Sequence, residues 1–311
     1  MFKKFILDKN SAKILINKSK RFINLQSLQN KNLFGNGVTF AVIDTGITPV
    51  LDFCVPKNRI KCFIDFTKNN KKFAYDDNGH GTFVSGIICG NGICSNGEFS
   101  GIAPKSEIVA LKALSENGEG SAEIILRAIK WIIENKQKYK IKVVCMSFGC
   151  KPKEKNDLLV FGANKLWQNG IVVVSACGND GPNENTITSP AIATNVISVG
   201  ALDDLSIGLR VADYSSRGSR KFNIFKPDIV APGTNIVGVS NESGKEFYKL
   251  MSGTSVSAPI IAGICVLLCE NYPNYSPNKI KQKLFENVID FGENELAQGR
   301  GVFVCRWKWN I

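Results

Sequence analysis

Histidine is almost missing from this sequence: 311 residues contain one, His80. That scarcity rules out a typical Cys2His2 zinc site. It also fixes where histidine acid–base chemistry would reside, because a neutral imidazole is the one side chain whose unperturbed pKa suits proton shuttling near neutrality. The chain has ten cysteines, yet no two form a C-x-x-C pair. Several, such as Cys145 in Val143-Val144-Cys145-Met146, stand in apolar runs and read as small hydrophobes. No apolar run approaches the roughly 20 residues that cross a bilayer, so no membrane span is expected. Met1 to Asp8 carries a basic pair and a very short apolar stretch without a small-residue cleavage site, a poor secretory signal. Reduced thiols in a cytosol are the simplest account of both features. Acidic side chains are also in deficit, 27 against 39 lysines and arginines, for a net charge of +12. Much of the excess lies in residues 1–35, where Lys3, Lys4, Lys9, Lys13, Lys18, Lys20, Arg21 and Lys31 face one acid, Asp8. Elsewhere the basic residues are scattered and no nucleic-acid motif appears. A solvated basic arm is the reading, and no nucleic-acid partner is expected.

What is there has the makings of a large soluble core: 44% hydrophobic and 21% charged residues. From Gly37 onward apolar β-rich runs alternate with helical patterns. Val38–Ile43, Ile108–Ala113, Val143–Phe148, Ile171–Ala176 and Val196–Gly200 are continuous Val/Ile/Ala runs of the kind a parallel sheet covered on both faces requires. Ser121–Glu134 puts Ile124, Ile125, Ala128, Ile129 and Ile132 on one stripe. Asp157–Asn169 is a second helix closed by Gly170. Ser255–Asn271, apolar nearly all round, is a buried third. Ser276-Pro277 opens a fourth with an N-cap and a first-turn proline. The layout predicts a three-layer α/β domain with a mainly parallel central sheet between helices.

Four segments carry chemistry. Ala41-Val42-Ile43-Asp44-Thr45-Gly46 puts an acid at the C-terminal end of a buried strand, beyond which open α/β sheets bind ligands. Asp76-Asp77-Asn78-Gly79-His80-Gly81-Thr82 holds the lone histidine in a glycine-flanked loop, where backbone or substrate can approach the ring. Ser175-Ala176-Cys177-Gly178-Asn179-Asp180-Gly181 follows a strand and offers an amide donor between glycines. Met251-Ser252-Gly253-Thr254-Ser255 runs into the buried helix, whose first turn favours negative charge and so suits a nucleophile that generates an oxyanion. Each segment alone also fits an ordinary cap or turn. Their co-occurrence in the order Asp, His, Asn, Ser shifts the balance.

On these motifs the chain resembles the subtilisin family of serine peptidases over roughly residues 35–305. Asp44-Thr45-Gly46, Asn78-Gly79-His80-Gly81-Thr82 and Gly253-Thr254-Ser255-Val256-Ser257-Ala258-Pro259 match the family's three motifs, and Lys226-Pro227-Asp228-Ile229-Val230-Ala231-Pro232-Gly233 is a further recurrent segment. The resemblance implies the subtilisin-like fold and an Asp44, His80, Ser255 triad, in the chain order already known for subtilisin. It implies Asn179 and the Ser255 N–H as an oxyanion hole, with Thr254 beside it. It makes Gly118, Glu119, Gly120 and Ser147, Phe148, Gly149 the segments that hold a peptide as an extra strand. Cys177, Gly178 and Thr188 would wall the primary pocket. Glu119 and Asp180 put acids near the cleft and suggest a tilt toward basic substrate side chains.

Departures from the pattern set further expectations. Phe83 stands where the family commonly has a second histidine and is expected to pack. No cofactor is required for the chemistry. Structural calcium stays open, with Asp52 as a ligand and Asn91–Glu98 as its partner loop. Residues 1–35 are too short for a signal and a folded prodomain, so the resemblance is closest to the intracellular branch. That divides the chain into a basic extension, 1–35, either inhibitory or a plain packing arm, and a peptidase domain, 36–311, acting on proteins or peptides. A catalytically silent relative is the main alternative, and the complete residue set argues against it. The acid-active relatives, which share Gly-Thr-Ser but use a carboxylate base, are disfavoured by the histidine motif. Oligomeric state is not readable from the sequence.

Overall fold

The structure is a computed structural model that describes residues 23–67, 71–152, 157–203, 208–242 and 246–305. The basic residues from Lys3 to Arg21 lie outside these. In chain order the strands are β1 (Thr39–Asp44), β2 (Ile60–Asp65), β3 (Glu107–Lys112), β4 (Ile141–Met146), β5 (Val172–Ala176), β6 (Ile197–Leu202), β7 (Ile229–Pro232), β8 (Ile236–Val239), β9 (Tyr248–Met251), β10 (Val288–Ile289) and β11 (Val302–Phe303). Nine of them build one sheet in the order β10-β11-β7-β6-β5-β4-β1-β3-β2, and the five apolar runs form its middle. All neighbouring pairs in it are parallel except β10 with β11. Every residue of β1, β5 and β6 is buried, as an unbroken Val/Ile/Ala run must be when both faces are covered. β8 and β9 form a separate antiparallel pair.

The helices are α1 (Leu25–Gln29), α2 (Leu51–Cys54), α3 (His80–Cys89), α4 (Ala122–Tyr139), α5 (Leu158–Gln168), α6 (Thr254–Asn271), α7 (Pro277–Phe285) and α8 (Glu295–Gln298). The expected caps form. Ser121 accepts the Ile124 N–H, Asp157 those of Leu159 and Val160, and Ser276 that of Lys279. α4 and α5 pack together on one face of the sheet, and α6, with α3 and α7 against it, lies across β4 to β7 on the other. α6 is long and apolar enough to cross a membrane by length and composition, but it is a core helix, buried from Val256 to Cys269.

Two expectations change here. The glycine-flanked motif predicts a loop at His80, but the residue is the first of α3. That helix is hidden in the sequence because Gly81 to Cys89 is buried on every side, leaving no amphipathic period. The boundary at residue 35 falls inside packed structure. Ile23, Leu25 and Leu28 are 1–2% exposed members of the main core. Asn24 Nδ2 donates to the Cys305 carbonyl at 3.0 Å, and the Glu270 carboxylate, near the end of α6, accepts the N–H groups of Phe34, Gly35 and Asn36 at 2.6–3.0 Å. Residues 23–36 are therefore fastened to the domain.

Candidate active site

β1 ends on Asp44, and α3 starts on His80. The ring Nδ1 lies 2.8 Å from Asp44 Oδ1. An ionised carboxylate only accepts, so Nδ1 carries the proton and Nε2 is left with its lone pair. Asp44 is 1% exposed, and its other oxygen, Oδ2, is buried without a hydrogen-bond partner among the described residues. The ring is 19% exposed, open enough to meet a substrate. Burial works to lower the imidazole pKa. The charge and hydrogen bond of Asp44 and the charge of Asp76 outweigh it, and Lys249 opposes them, leaving the ring above its ordinary value.

A net of hydrogen bonds with no sequence signature brings the two segments together. Asp76 Oδ1 accepts from Thr45 Oγ1 at 2.8 Å, Gly79 N at 2.8 Å and Asn78 N at 3.2 Å, while Oδ2 accepts from Thr82 N and Oγ1 at 2.8 and 2.7 Å. Thr45 Oγ1 in turn accepts the Gly81 N–H at 2.9 Å. Lys112, fully buried at the end of β3, donates to the Thr45 carbonyl, to Asp77 Oδ1 and to the Leu114 carbonyl. Gly81 is forced by contact: a Cβ there would lie 2.2 Å from the Gly46 carbonyl.

Ser255 is half-buried in the first turn of α6, between buried Thr254 and Val256. Asn179 follows β5 and is exposed. Its Oδ1 accepts both the N–H and the Oγ1 of Thr254, at 2.9 and 3.0 Å, which fixes the amide so that Nδ2 points away as a donor. Gly253 shows where it points. A Cβ on Gly253 would stand 3.3 Å from Ser255 Oγ and 3.4 Å from Asn179 Nδ2. The missing side chain leaves a gap shared by a hydroxyl and an amide donor.

The expected pocket residues also converge. Thr188, buried at 6%, donates Oγ1 to the Cys177 carbonyl at 3.1 Å. A Cβ on Gly149 would lie 2.2 Å from Thr188 Oγ1, and one on Gly178 would lie 2.6 Å from Thr188 Cγ2 and 2.7 Å from Ser216 Oγ. Thr188 thus fills the space between the two glycines, and Ser216 joins them although no sequence signal marks it. Burial pushes the Cys177 thiol up to about 12, so this side chain is uncharged. Ser147 is buried, its Oγ 3.4 Å from Cys145 Sγ, and Phe148 is half-buried against the core. Gly118, Glu119 and Gly120 form an exposed turn closed by Ser115 N–H to the Glu119 carbonyl at 2.8 Å, and Asn78 Nδ2 ties it to the histidine segment through the Glu116 carbonyl at 2.8 Å. Asp180 is exposed. Phe83 is fully buried, packed where a side chain on Gly238 would clash.

Asp52 lies beside the Asn91–Glu98 loop, with its carboxylate engaged by protein donors. Its carboxylate accepts the Gly92 N–H at 2.8 Å and the Tyr248 hydroxyl at 3.0–3.1 Å, and the Gly92 carbonyl is taken by Ser95 and Gly97. A hard cation needs oxygen lone pairs converging on it, whereas these groups point donors at the acid. Among the described residues no group of three His, Cys, Asp or Glu side chains is placed to hold a metal.

The chain matches the profile of the subtilase family over residues 35–302. It is 37% identical to serine protease AprX of Bacillus subtilis over 85% of this chain and 64% of that protein. It is 32% identical to the minor extracellular protease Epr of the same organism, over 92% of this chain and 41% of the other. It therefore spans less than two thirds of either relative. A match to a protein named as extracellular shows that the likeness is not confined to the intracellular branch. Among solved structures, the S41 psychrophilic protease superposes with a TM-score of 0.77 at 28% identity, over 92% of this chain and 96% of that one.

Proposed function

The chain belongs to the subtilase family, and from that premise we propose that it is a serine-type endopeptidase working through an acyl-enzyme. The observation that carries the reading is the 2.8 Å bond from His80 Nδ1 to buried Asp44, which leaves Nε2 free to act as a base. Ser255 Oγ attacks the peptide carbonyl carbon as Nε2 takes its proton. Asp44 holds the tautomer and stabilises the imidazolium. The oxyanion is received by Asn179 Nδ2 and the Ser255 N–H, in the gap that Gly253 leaves open. His80 then returns the proton to the leaving amine, and water, deprotonated by the same ring, releases the acyl group. No cofactor enters these steps.

Substrate proteins or peptides would bind between Gly118–Gly120 and Ser147–Gly149 as an added strand. With Thr188 lodged between Gly149 and Gly178, the primary pocket is shallow and takes small side chains. Exposed Glu119 and Asp180 favour basic side chains elsewhere in the peptide; equal cleavage of matched Lys- and Glu-containing peptides removes that preference. Thiols placed as small hydrophobes in the core, Cys145, Cys177 and Cys265 among them, support a reducing compartment. The basic arm is proposed to inhibit by lying across the acidic cleft; a chain starting at residue 23 with unchanged activity excludes this. The peptidase reading itself is tested by peptide hydrolysis: Ser255→Ala loses nearly all turnover, and full turnover in that variant rejects the mechanism.

A further inference from the structure

His80 begins a helix, and a helix N-terminus carries partial positive charge that disfavours an imidazolium. Two charged side chains outside the triad meet this position. Asp76 is 6% exposed, and its two oxygens accept five hydrogen bonds from Thr45, Asn78, Gly79 and Thr82, so the carboxylate is locked inside the arc of backbone that carries the ring. Lys249 reaches the same arc from β9, in the small separate sheet. A Cβ on Gly79 would stand 2.8 Å from Lys249 Nζ and 2.2 Å from Asn241 Oδ1, to which that amine donates at 3.4 Å. Asn241 Nδ2 closes the circuit on the Asp76 carbonyl at 3.1 Å. Lys249 has no carboxylate within ion-pair distance among the described residues.

We propose that Asp76 and Lys249 are opposed positioning charges for His80, the carboxylate favouring the protonated ring and the amine disfavouring it. Together they set the pH at which the ring changes charge. The other charges around the ring are engaged differently. Asp44 is its direct partner, Lys112 is spent on Asp77 and two carbonyls, and Glu242 acts on Lys249. Lys249 is half-buried, and burial lowers its pKa against the pull of Asp76 and Glu242. The inference deepens the peptidase reading and rests on it for its meaning, but its test does not need turnover.

The chain has one imidazole, so its ring resonances in an NMR pH titration are unambiguous. Lys249→Met is expected to move the ring midpoint up, Asp76→Asn to move it down, and Lys249→Arg to leave it at the wild-type value. The acid limb of kcat/KM follows the ring by the same amount in each variant. Opposite shifts are a signature that loosened packing alone does not give. If Asp76→Asn does not fold, the contrast between Lys249→Met and Lys249→Arg decides. An unmoved midpoint in Lys249→Met, or shifts of the same sign in Lys249→Met and Asp76→Asn, overturns the proposal. Ring shifts as expected with a Ser255 inert to fluorophosphonate uphold the charge pair and reject the peptidase reading.

Discussion

Asp44 commits one oxygen to the imidazole and the Thr45 N–H, and among the described residues its other oxygen is buried without a donor, so of these side chains the ring alone shares its negative charge by hydrogen bond. The net effect of the surroundings raises the His80 pKa, and two pH dependences follow with opposite uses of the same shift. A general base works as the neutral ring, so the acid limb of kcat/KM is expected above the ordinary histidine value of about 6.5; a limb below it contradicts the charge arrangement. For stability, a raised folded-state pKa contributes fully below the unfolded value and is lost as pH rises through the folded one. Urea unfolding across pH should therefore show wild type losing its advantage over His80→Gln as pH climbs through the ring's midpoint, and a constant difference would contradict this. At Asn179, truncation to Ala should lower kcat by about 10²–10³, the size established for the oxyanion-hole asparagine of subtilisin itself. Steady-state kinetics checks it, with KM little changed.

At the scale of elements, the site depends on turns where three strands end and two helices begin. Strands β1, β3, β4, β5 and β6 were readable because their apolar runs are continuous, and the caps of α4, α5 and α7 because Ser121, Asp157 and Ser276 are placed to accept. α3 was not, since burial on all sides erases periodicity. β2 was not, because its half-exposed pattern, with Lys61 outward, resembles a loop. The carboxylate net of Asp76 was invisible for another reason: the residue stands in the histidine motif, but its five donors come from Thr45, 31 residues away, and from Thr82 in α3 as well as from its own loop. Glu270→Ala removes the acceptor for three backbone N–H groups and should cost about 2 kcal/mol of unfolding free energy, as charged hydrogen bonds do; a denaturant midpoint unchanged from wild type would show those bonds to be idle. Deletion through residue 30 strips Ile23, Leu25 and Leu28 from the core, at roughly 1.5–3 kcal/mol each, and should lower the Tm strongly, whereas a start at residue 23 keeps all three. Equal Tm values for the two truncations would show that α1 is not an integral part of the domain.

Across the whole molecule, the sheet order puts Asp44, Ser147 and Asn179 at or just beyond the C-terminal ends of adjacent strands β1, β4 and β5, so residues more than a hundred apart in the chain share one edge. This long-range gathering is what the alternation of strands and helices foretold and what local sequence could not locate in detail. The surroundings of Asp52 are set at the same scale. Asp52 sits beside the expected loop, but Tyr248, 196 residues onward, supplies a hydroxyl to its carboxylate. Calcium or a chelator is accordingly expected to leave the Tm of the wild type unchanged, while Tyr248→Phe lowers it; a calcium-dependent rise would contradict the donor geometry. The central claim is an activated hydroxyl on Ser255, and mass-spectrometric mapping of fluorophosphonate labelling tests it most directly. Label is predicted on Ser255 in wild type, with near-complete loss in His80→Ala. Equal labelling of the two, or no label on Ser255, would contradict it.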